Sequence, residues 1–568
     1  MKQITLYTCY VKHMGSEKMK ESLIFGMALK TYDRFMLYYE NSMFFMILQR
    51  LGQKLGRYAA SSSILSYFDK EWDLVNGWKN SITFKILISP IRLLRYASQR
   101  FSESMEVIAS DSRILKSVRV LLENLFNMGT KGYVLFFAAG IALSALLYYL
   151  QLMNLLLIAG GIASIILVLW RYEIGVYAVV GLIPLAPTMA LLGLILLTAA
   201  SFGIRLLLDK SMKLRITILD YFVVLFGIVL FYSFITSYSP GSSMLELLIH
   251  MAFIVFYFVL VNTIKTREQL YVLAALLVLS TTVTSLYGLY QLKTVTATSE
   301  AWVDTTLFED IKTRVGSTFE NPNVLGEYLV LIIPVAIAML WGQKGWISRL
   351  ITMGLTAIML GCLVYTYSRG AYVGLMLALA MFAVLRDKRF VILCVIGLLM
   401  LPFVLPASVI NRFASIGNLN DTSSFYRISV WLGSLGMAKD YWLSGIGLGL
   451  EPFKLVYPKY SLNAAYAHHS HNIYIQLIIE TGITGLLMFF AIIVVYYKTM
   501  LTGFYKTKDR FTSTFMIAIA SGMAGYLAQG MVENIWYNNK VLLTFWVMLA
   551  FGMIAKALIT EEKEVPGI

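Results

Sequence analysis

The chain has 568 residues, of which 58% are hydrophobic, and a formal net charge of +15; its mean hydropathy is +0.71. Soluble domains stay near about 45–50% apolar and seldom repeat apolar runs of about 18 residues, so a soluble protein is excluded and an all-α polytopic integral membrane protein is expected. The Lys and Arg lie mostly in short loops and the N-terminal arm. That pattern marks the cytoplasmic side of a membrane and argues against nucleic acid as a partner.

Residues 1–132 are mixed in charge with a basic excess, rich in aromatics, and lack a clean apolar span of about 20 residues. No apolar stretch is followed by a small-residue cleavage site, so no removable signal peptide is expected. Residues 82–101, ITFKILISPIRLLRYASQRF, interleave Ile, Leu and Phe with Lys85, Arg92, Arg95 and Arg100, and Pro90 breaks the stretch. Helices lying on an anionic leaflet fit this pattern, and so does a cytoplasmic arm that docks a partner.

From residue 133, apolar runs follow one another: 133–150, 152–170, 174–186, 188–205, 217–236, 244–264, 268–290, 324–342, 348–367, 370–385, 390–406, 473–497, 513–532 and 539–559. About 12–14 transmembrane helices are expected, with 174–186 short for a bilayer and interrupted by Pro184. Basic clusters at 205–215, 265–268, 344–349, 386–389 and 506–510 all fall on the side of the N-terminal arm. Both termini are therefore expected in the cytoplasm, and the two longest connections, 291–323 and 407–472, outside. The division expected is a basic arm, 1–132, and a transmembrane domain, 133–568. Cys9, Cys362 and Cys394 form no disulfide framework and no paired-Cys zinc motif.

Four arginines, Arg314, Arg369, Arg412 and Arg427, lie outside on this map, against the charge bias, which makes them functional candidates. Arg369 sits in TYSRGAYVG between two apolar runs, where it faces a polar cavity or snorkels to lipid phosphate. Gly370 and Gly374 form a small-xxx-small pair suited to close helix approach. Arg427 and Trp431 are four apart and share one face if 423–439 is a helix along the outer surface. The competing reading is a solvated arginine beside an anchoring tryptophan. SGIGLG, 444–449, lacks the spacing and the Lys of a nucleotide loop and reads as a turn.

Three of the five histidines, His468, His469 and His471, stand in AHHSHNIYIQLIIETGITG, 467–485, just before a long apolar run. The outside carboxylates Asp304, Glu309 and Asp310 have no ligand-like spacing to them, so no metal site is expected. A general base, a phosphate donor or a polar helix start are the readings left open. Glu480, nine residues past His471, falls on the opposite helical face at about 100° per residue and is expected to pack against another helix.

Taken together, TRVGSTFENPNVLGEYL (313–329), YSRGAYVGL (367–375), YRISVWLGSLGMAKDYWLSGIGLG (426–449) and HSHNIYIQLIIETGITG (469–485) resemble the bacterial O-antigen ligase and O-antigen polymerase family, over roughly 210–540. The resemblance implies a GT-C-like glycosyltransferase with a long helical extracytoplasmic loop, working at the outer face of the bacterial cytoplasmic membrane. Its donor would be an undecaprenyl-diphosphate-linked oligosaccharide, and its acceptor a hydroxyl of another glycan in polymerases, or of a lipid or protein in ligases. Membrane lipid and glycan-assembly proteins are the further partners, and no cofactor is expected. Carried onto this sequence, the resemblance makes Arg369, Arg427 and His471 catalytic candidates, the arginines at the donor diphosphate and the histidine at the reacting centre. Arg314, Asn323, His469 and Asn472, in or beside the same motifs, are candidates for binding the diphosphate or the acceptor.

The chemistry suits these side chains on its own account. Fixed guanidiniums stabilise charge building on a departing diphosphate, and a neutral imidazole accepts the proton of an attacking hydroxyl. No outward DxD-type motif occurs, which favours a metal-independent mechanism with inversion. Polymerisation of a capsule, teichuronic-acid or O-antigen type of polysaccharide is the leading expectation. A flippase or transporter for lipid-linked oligosaccharide is the rival of another class, and a non-enzymatic assembly protein the third.

Overall fold

The chain divides into two compact units, Met1–Lys70 and Glu71–Ile568. In the computed structural model the described residues are 152–209, 211–294, 311, 313–343, 345–386, 405–417, 422–462, 466–507 and 509–564, with scattered positions elsewhere. The expectations for 1–132, for a span at 133–150 and for most of 390–406 fall outside these residues, as do Asp304, Glu309, Asp310, Cys9 and Cys394.

The apolar runs form helices because only a hydrogen-bonded helix or a closed barrel satisfies backbone groups inside lipid. Among the described residues there are fifteen α-helices, all in the second unit, and no strand: α1 Leu152–Trp170, α2 Tyr172–Leu182, α3 Thr188–Leu208, α4 Ile218–Ile235, α5 Pro240–Thr263, α6 Arg267–Thr294, α7 Pro322–Gly342, α8 Trp346–Val364, α9 Arg369–Arg386, α10 Ala407–Ala414, α11 Thr422–Asp440, α12 Leu450–Val456, α13 Ile473–Lys506, α14 Arg510–Gln529 and α15 Asn539–Glu564. Ten are long and apolar enough to cross a membrane, from α3 to α9 and from α13 to α15. The chain is a multi-pass membrane protein. The run expected at 174–186 forms only the 11-residue α2, which stops at Leu182, just before Pro184 and Pro187.

Several helix starts are written in the sequence as caps. Thr217 and Asp220 close a capping box on α4, and Tyr257 of α5 donates to Asp220 over 2.6 Å. Asn321 caps α7 ahead of Pro322, Asn472 caps α13, and Asp509 caps α14. The helices alternate between two ends. At one end Arg267 pairs with Asp509 at 3.4 Å and Arg386 reaches Ser513. At the other end lie 236–239, 313–321, 365–368, 405–417, 422–462, 466–472 and 530–538. There Val315 N–H donates to Tyr365 C=O at 3.0 Å, and Ile473 N–H to Gly530 C=O at 2.9 Å.

α13 is broken at Gly482, whose φ of 70° and ψ of −176° interrupt the helix. The large loop repairs the break. Ile446 N–H donates to Ile479 C=O at 2.8 Å, Gly447 N–H to Glu480 C=O at 3.3 Å, and Ile483 N–H to Trp442 C=O at 2.6 Å. Ser233 of α4 also donates to Glu480 C=O at 2.6 Å. Gly445 has φ +66°, and a Cβ there would stand 2.2 Å from Glu480 C=O, so only glycine fits. The SGIGLG segment is thus a backbone joint between loop and bundle. Glu480 packs toward α4, and Gln476 donates to its carboxylate.

α9 and α14 touch along their glycines. A Cβ on Gly374 would lie 2.8 Å from Gly525 C=O, and one on Gly525 2.2 Å from Gly374 C=O. This close approach is what carries the N-terminus of α9 to the segment after α14, where Gly370 faces Gln529 and Val532. Gly374→Val is expected to destabilise the protein by about 1–3 kcal/mol, the usual cost of overpacking. Gly354→Val, on α8 where a Cβ meets nothing within 4 Å, should leave the melting temperature nearly unchanged. Thermal unfolding in detergent compares the two, and equal effects would contradict the close α9–α14 contact.

Candidate functional site

His471 occupies the turn immediately before α13, and its own backbone is in the left-handed region at φ 50°. A non-glycine residue stays there only when its surroundings hold it. Here they do. His471 N–H donates to His469 Nδ1 at 3.2 Å, and Trp431 Nε1 donates to His471 C=O at 3.1 Å. Asn472 caps Tyr474 N–H and Ile475 N–H with Oδ1 and donates from Nδ2 to Met531 C=O at 2.8 Å. The helix start, α11 and the segment after α14 together fix one imidazole.

The side chain of His471 meets Glu533, which lies between α14 and α15. Nδ1 stands 3.2 Å from Glu533 Oε2. The other carboxylate oxygen accepts from Arg427 and, at 3.0 Å, from Asn323 Nδ2. Burial alone would push the Glu533 carboxyl up. The Arg427 charge and the His471 hydrogen bond outweigh burial and bring it down from 4.5 to about 2. Glu533 is therefore ionised at neutral pH and acts only as an acceptor. His471 Nδ1 must then carry the proton, and in the neutral ring the lone pair belongs to Nε2.

A group of guanidiniums adjoins the carboxylate. Arg314 donates from Nη2 to Asn323 Oδ1 at 2.8 Å and from Nε to Thr366 C=O at 2.9 Å. Arg412 donates to the next carbonyl, Tyr367 C=O, at 3.4 Å. The YSRG elbow, with Tyr367 at φ 51°, thus offers two successive carbonyls to two arginines. Burial first, and then the Arg412 and Arg427 charges, lower Arg314 from 12.5 to about 9. It remains a cation at neutral pH. Among the described residues Arg314, Arg412 and Arg427 thus share one neighbourhood with the ionised Glu533, a concentration of guanidiniums suited to an anion.

Of the residues singled out in the sequence, His471, Arg427, Asn323 and Arg314 join one hydrogen-bonded chain through Glu533, while His469 accepts from the His471 N–H and Asn472 ties the start of α13 to Met531. Arg369 lies at the N-terminus of α9 and donates from Nη1 to Ser415 C=O at 3.1 Å, at the end of α10. Trp431 is no free anchor, since its indole binds the His471 carbonyl. Glu533 escaped the sequence reading. The available signal was a lone acid in the short VENIWYN connection, directly between two apolar runs on the outer side of the map.

The arrangement can orient a neutral imidazole as a proton acceptor beside a cationic pocket. Its pH dependence follows from the buried groups. Burial lowers His469 from 6.5 to about 3, so the fold favours its neutral form. A depressed folded-state pKa contributes stability that is complete above the unfolded value and is lost as pH falls toward the folded value. Stability should therefore decline between about pH 6.5 and 3 through His469, and between about pH 4.5 and 2 through Glu533. His469→Asn, which keeps an acceptor near the Nδ1 position, should flatten the first part, and Glu533→Gln the second. Thermal melts at stepped pH check this, and unchanged slopes in both variants would contradict the assignment.

Residues 354–490 match the family model described as O-Antigen ligase. The match takes in Arg369, Arg412, Arg427, His469, His471 and Asn472, and leaves Arg314, Asn323 and Glu533 to flanking helices and loops. No match was found among curated proteins. The similarity over residues 354–490 is consistent with the resemblance to the O-antigen ligase and polymerase family expected from the sequence.

Proposed function

We propose that this chain transfers a glycan from a polyprenyl-diphosphate carrier, of the undecaprenyl kind, to a hydroxyl at the outer face of the bacterial cytoplasmic membrane. The product is most simply a growing cell-surface polysaccharide. The observation that carries this reading is the His471 Nδ1 contact with ionised Glu533, next to Arg427, Arg314 and Arg412. The acceptor oxygen attacks the anomeric carbon while the bond to the diphosphate oxygen breaks. His471 Nε2 takes the hydroxyl proton. The carrier diphosphate leaves with the bonding electrons, and the guanidiniums offset its charge. Attack opposite the leaving group inverts the anomeric centre, and the guanidiniums supply the charge that a metal clamp supplies elsewhere. The basic connections gather at the far end of the bundle, which supports cytoplasmic termini and an extracytoplasmic site.

Transfer is favoured over transport because the cluster is built on loops and helix starts at one end of the bundle. Transporter sites usually lie near the midplane, on paired broken helices. A ligase-type acceptor, lipid or protein, is separated from a polymerase by product length. The experiment is turnover of an undecaprenyl-diphosphate oligosaccharide by purified protein in nanodiscs. His471→Ala should lower kcat about 10²–10⁴-fold, the usual worth of a general base. Glu533→Gln should cost roughly 10–100-fold by loosening the ring it orients. Arg427→Lys should also lose activity, because an ammonium cannot reproduce the planar fork of a guanidinium. Near-normal turnover in His471→Ala would end the proposal.

A further inference from the structure

The contacts that organise His471 continue past it. From the cationic end they run Arg314, Asn323, Glu533, His471, His469 and Tyr537. The last three rings are in series, with centroids 4.1 Å apart for His471 and His469 and 4.7 Å apart for His469 and Tyr537. On a second flank the Tyr426 ring stands 5.7 Å from that of His471, and its hydroxyl donates to Tyr466 C=O at 2.7 Å. The Tyr466 ring lies edge-on to His468 at 4.9 Å. Tyr466 is 65% exposed and Tyr537 44%, so both rings offer a free face.

A charged pair shares this neighbourhood. Lys454 of α12 donates to Glu451 at 2.7 Å. Phe453 and Val456, on the same helix as Lys454, share a buried cluster with Tyr426 and with Ala467, the residue after Tyr466, which sets the pair beside this segment. Tyrosines at a lipid interface are common as anchors. An anchor does not explain rings joined in series to the His471 imidazole beside a helix that carries an ion pair. Sugar binding does. The C–H faces of a pyranose lie against the negative faces of aromatic rings, tyrosine offers that area with little rotamer entropy to lose, and a carboxylate and an ammonium bind flanking hydroxyls.

We propose that Tyr466, Tyr537 and His468, with the Lys454–Glu451 pair, form a saccharide subsite that seats the sugar ring carrying the acceptor hydroxyl. The assignment to the acceptor rests on the transfer reading above. The donor diphosphate belongs at the arginine end, and His471, which takes the acceptor proton, stands between that end and the aromatic one.

The test uses the full chain in lipid nanodiscs and saturation-transfer NMR with four soluble probes: the methyl glycosides of glucose, galactose, N-acetylglucosamine and glucuronic acid. At least one should bind above empty nanodiscs. Tyr466→Ala and Tyr537→Ala should each weaken it about tenfold, as expected for an aromatic contact at the centre of an interface. Tyr466→Phe and Tyr537→Phe should keep it, and Glu451→Gln should weaken it while leaving the rings in place. The subsite is overturned if no probe binds, if the alanine variants bind as the wild type does, or if the phenylalanine variants lose binding along with melting temperature. Binding that survives His471→Ala supports the subsite apart from the chemistry. If His471→Ala turns over normally, the transfer reading fails while the binding result stands.

Discussion

Burying a carboxylate is costly unless its charge is answered, and three elements far apart in the chain answer that of Glu533. Arg427 comes from α11, Asn323 from the first turn of α7, and His471 from the start of α13. None of the three is placed by its neighbours in sequence alone. Each is held by reaching the same side chain, so the carboxylate is both the structural keystone of this end of the bundle and the group that selects the His471 tautomer. Removing it would leave a guanidinium and an imidazole facing one another without a counter-charge.

The proposed proton acceptor stands on a loop, and that proposal requires the loop to be rigid, because small displacements are expensive in catalysis. The large loop gains its rigidity from backbone rather than from side-chain packing alone. Gly482 opens α13, and the carbonyls released there are taken by Ile446 and Gly447, which ties 442–449 to the helix that bears His471. Such a break is tolerated in a membrane helix only where another part of the protein satisfies the freed groups. On the opposite flank the close approach of α9 and α14 at Gly374 and Gly525 brings the YSRG elbow to the segment holding Glu533. The elbow then supplies the carbonyls that orient Arg314 and Arg412. Two of the guanidiniums are thus held in place by backbone carbonyls rather than left to their own rotamers.

Much of this was legible in the residues. Apolar runs of bilayer length gave the helices, since length and composition decide that question nearly alone, and Asn321, Asn472 and Asp509 mark their starts. The small-xxx-small pair Gly370 and Gly374 announced a close contact without naming α14 as the partner. Arginines placed against the charge bias led to Arg314, Arg412 and Arg427, and the clustered histidines to His471. Glu533 was not legible, because a single acid between two spans looks the same whether it faces water or closes a network. The break at Gly482 was hidden as well. Its sequence, ETGITG, continues an apolar helix without a proline, and only the approach of residues 442–447 shows why the helix opens there.

The most direct measurement is the ¹⁵N spectrum of histidine-labelled protein near neutral pH, with His471 assigned by its loss in His471→Asn. The Glu533 contact predicts a proton on Nδ1, with a change at that nitrogen in Glu533→Gln, and the proposed proton-acceptor role requires that Nε2 keep its lone pair. A ring protonated at Nε2 alone would contradict the contact, and one protonated at both nitrogens would contradict the proton-acceptor role.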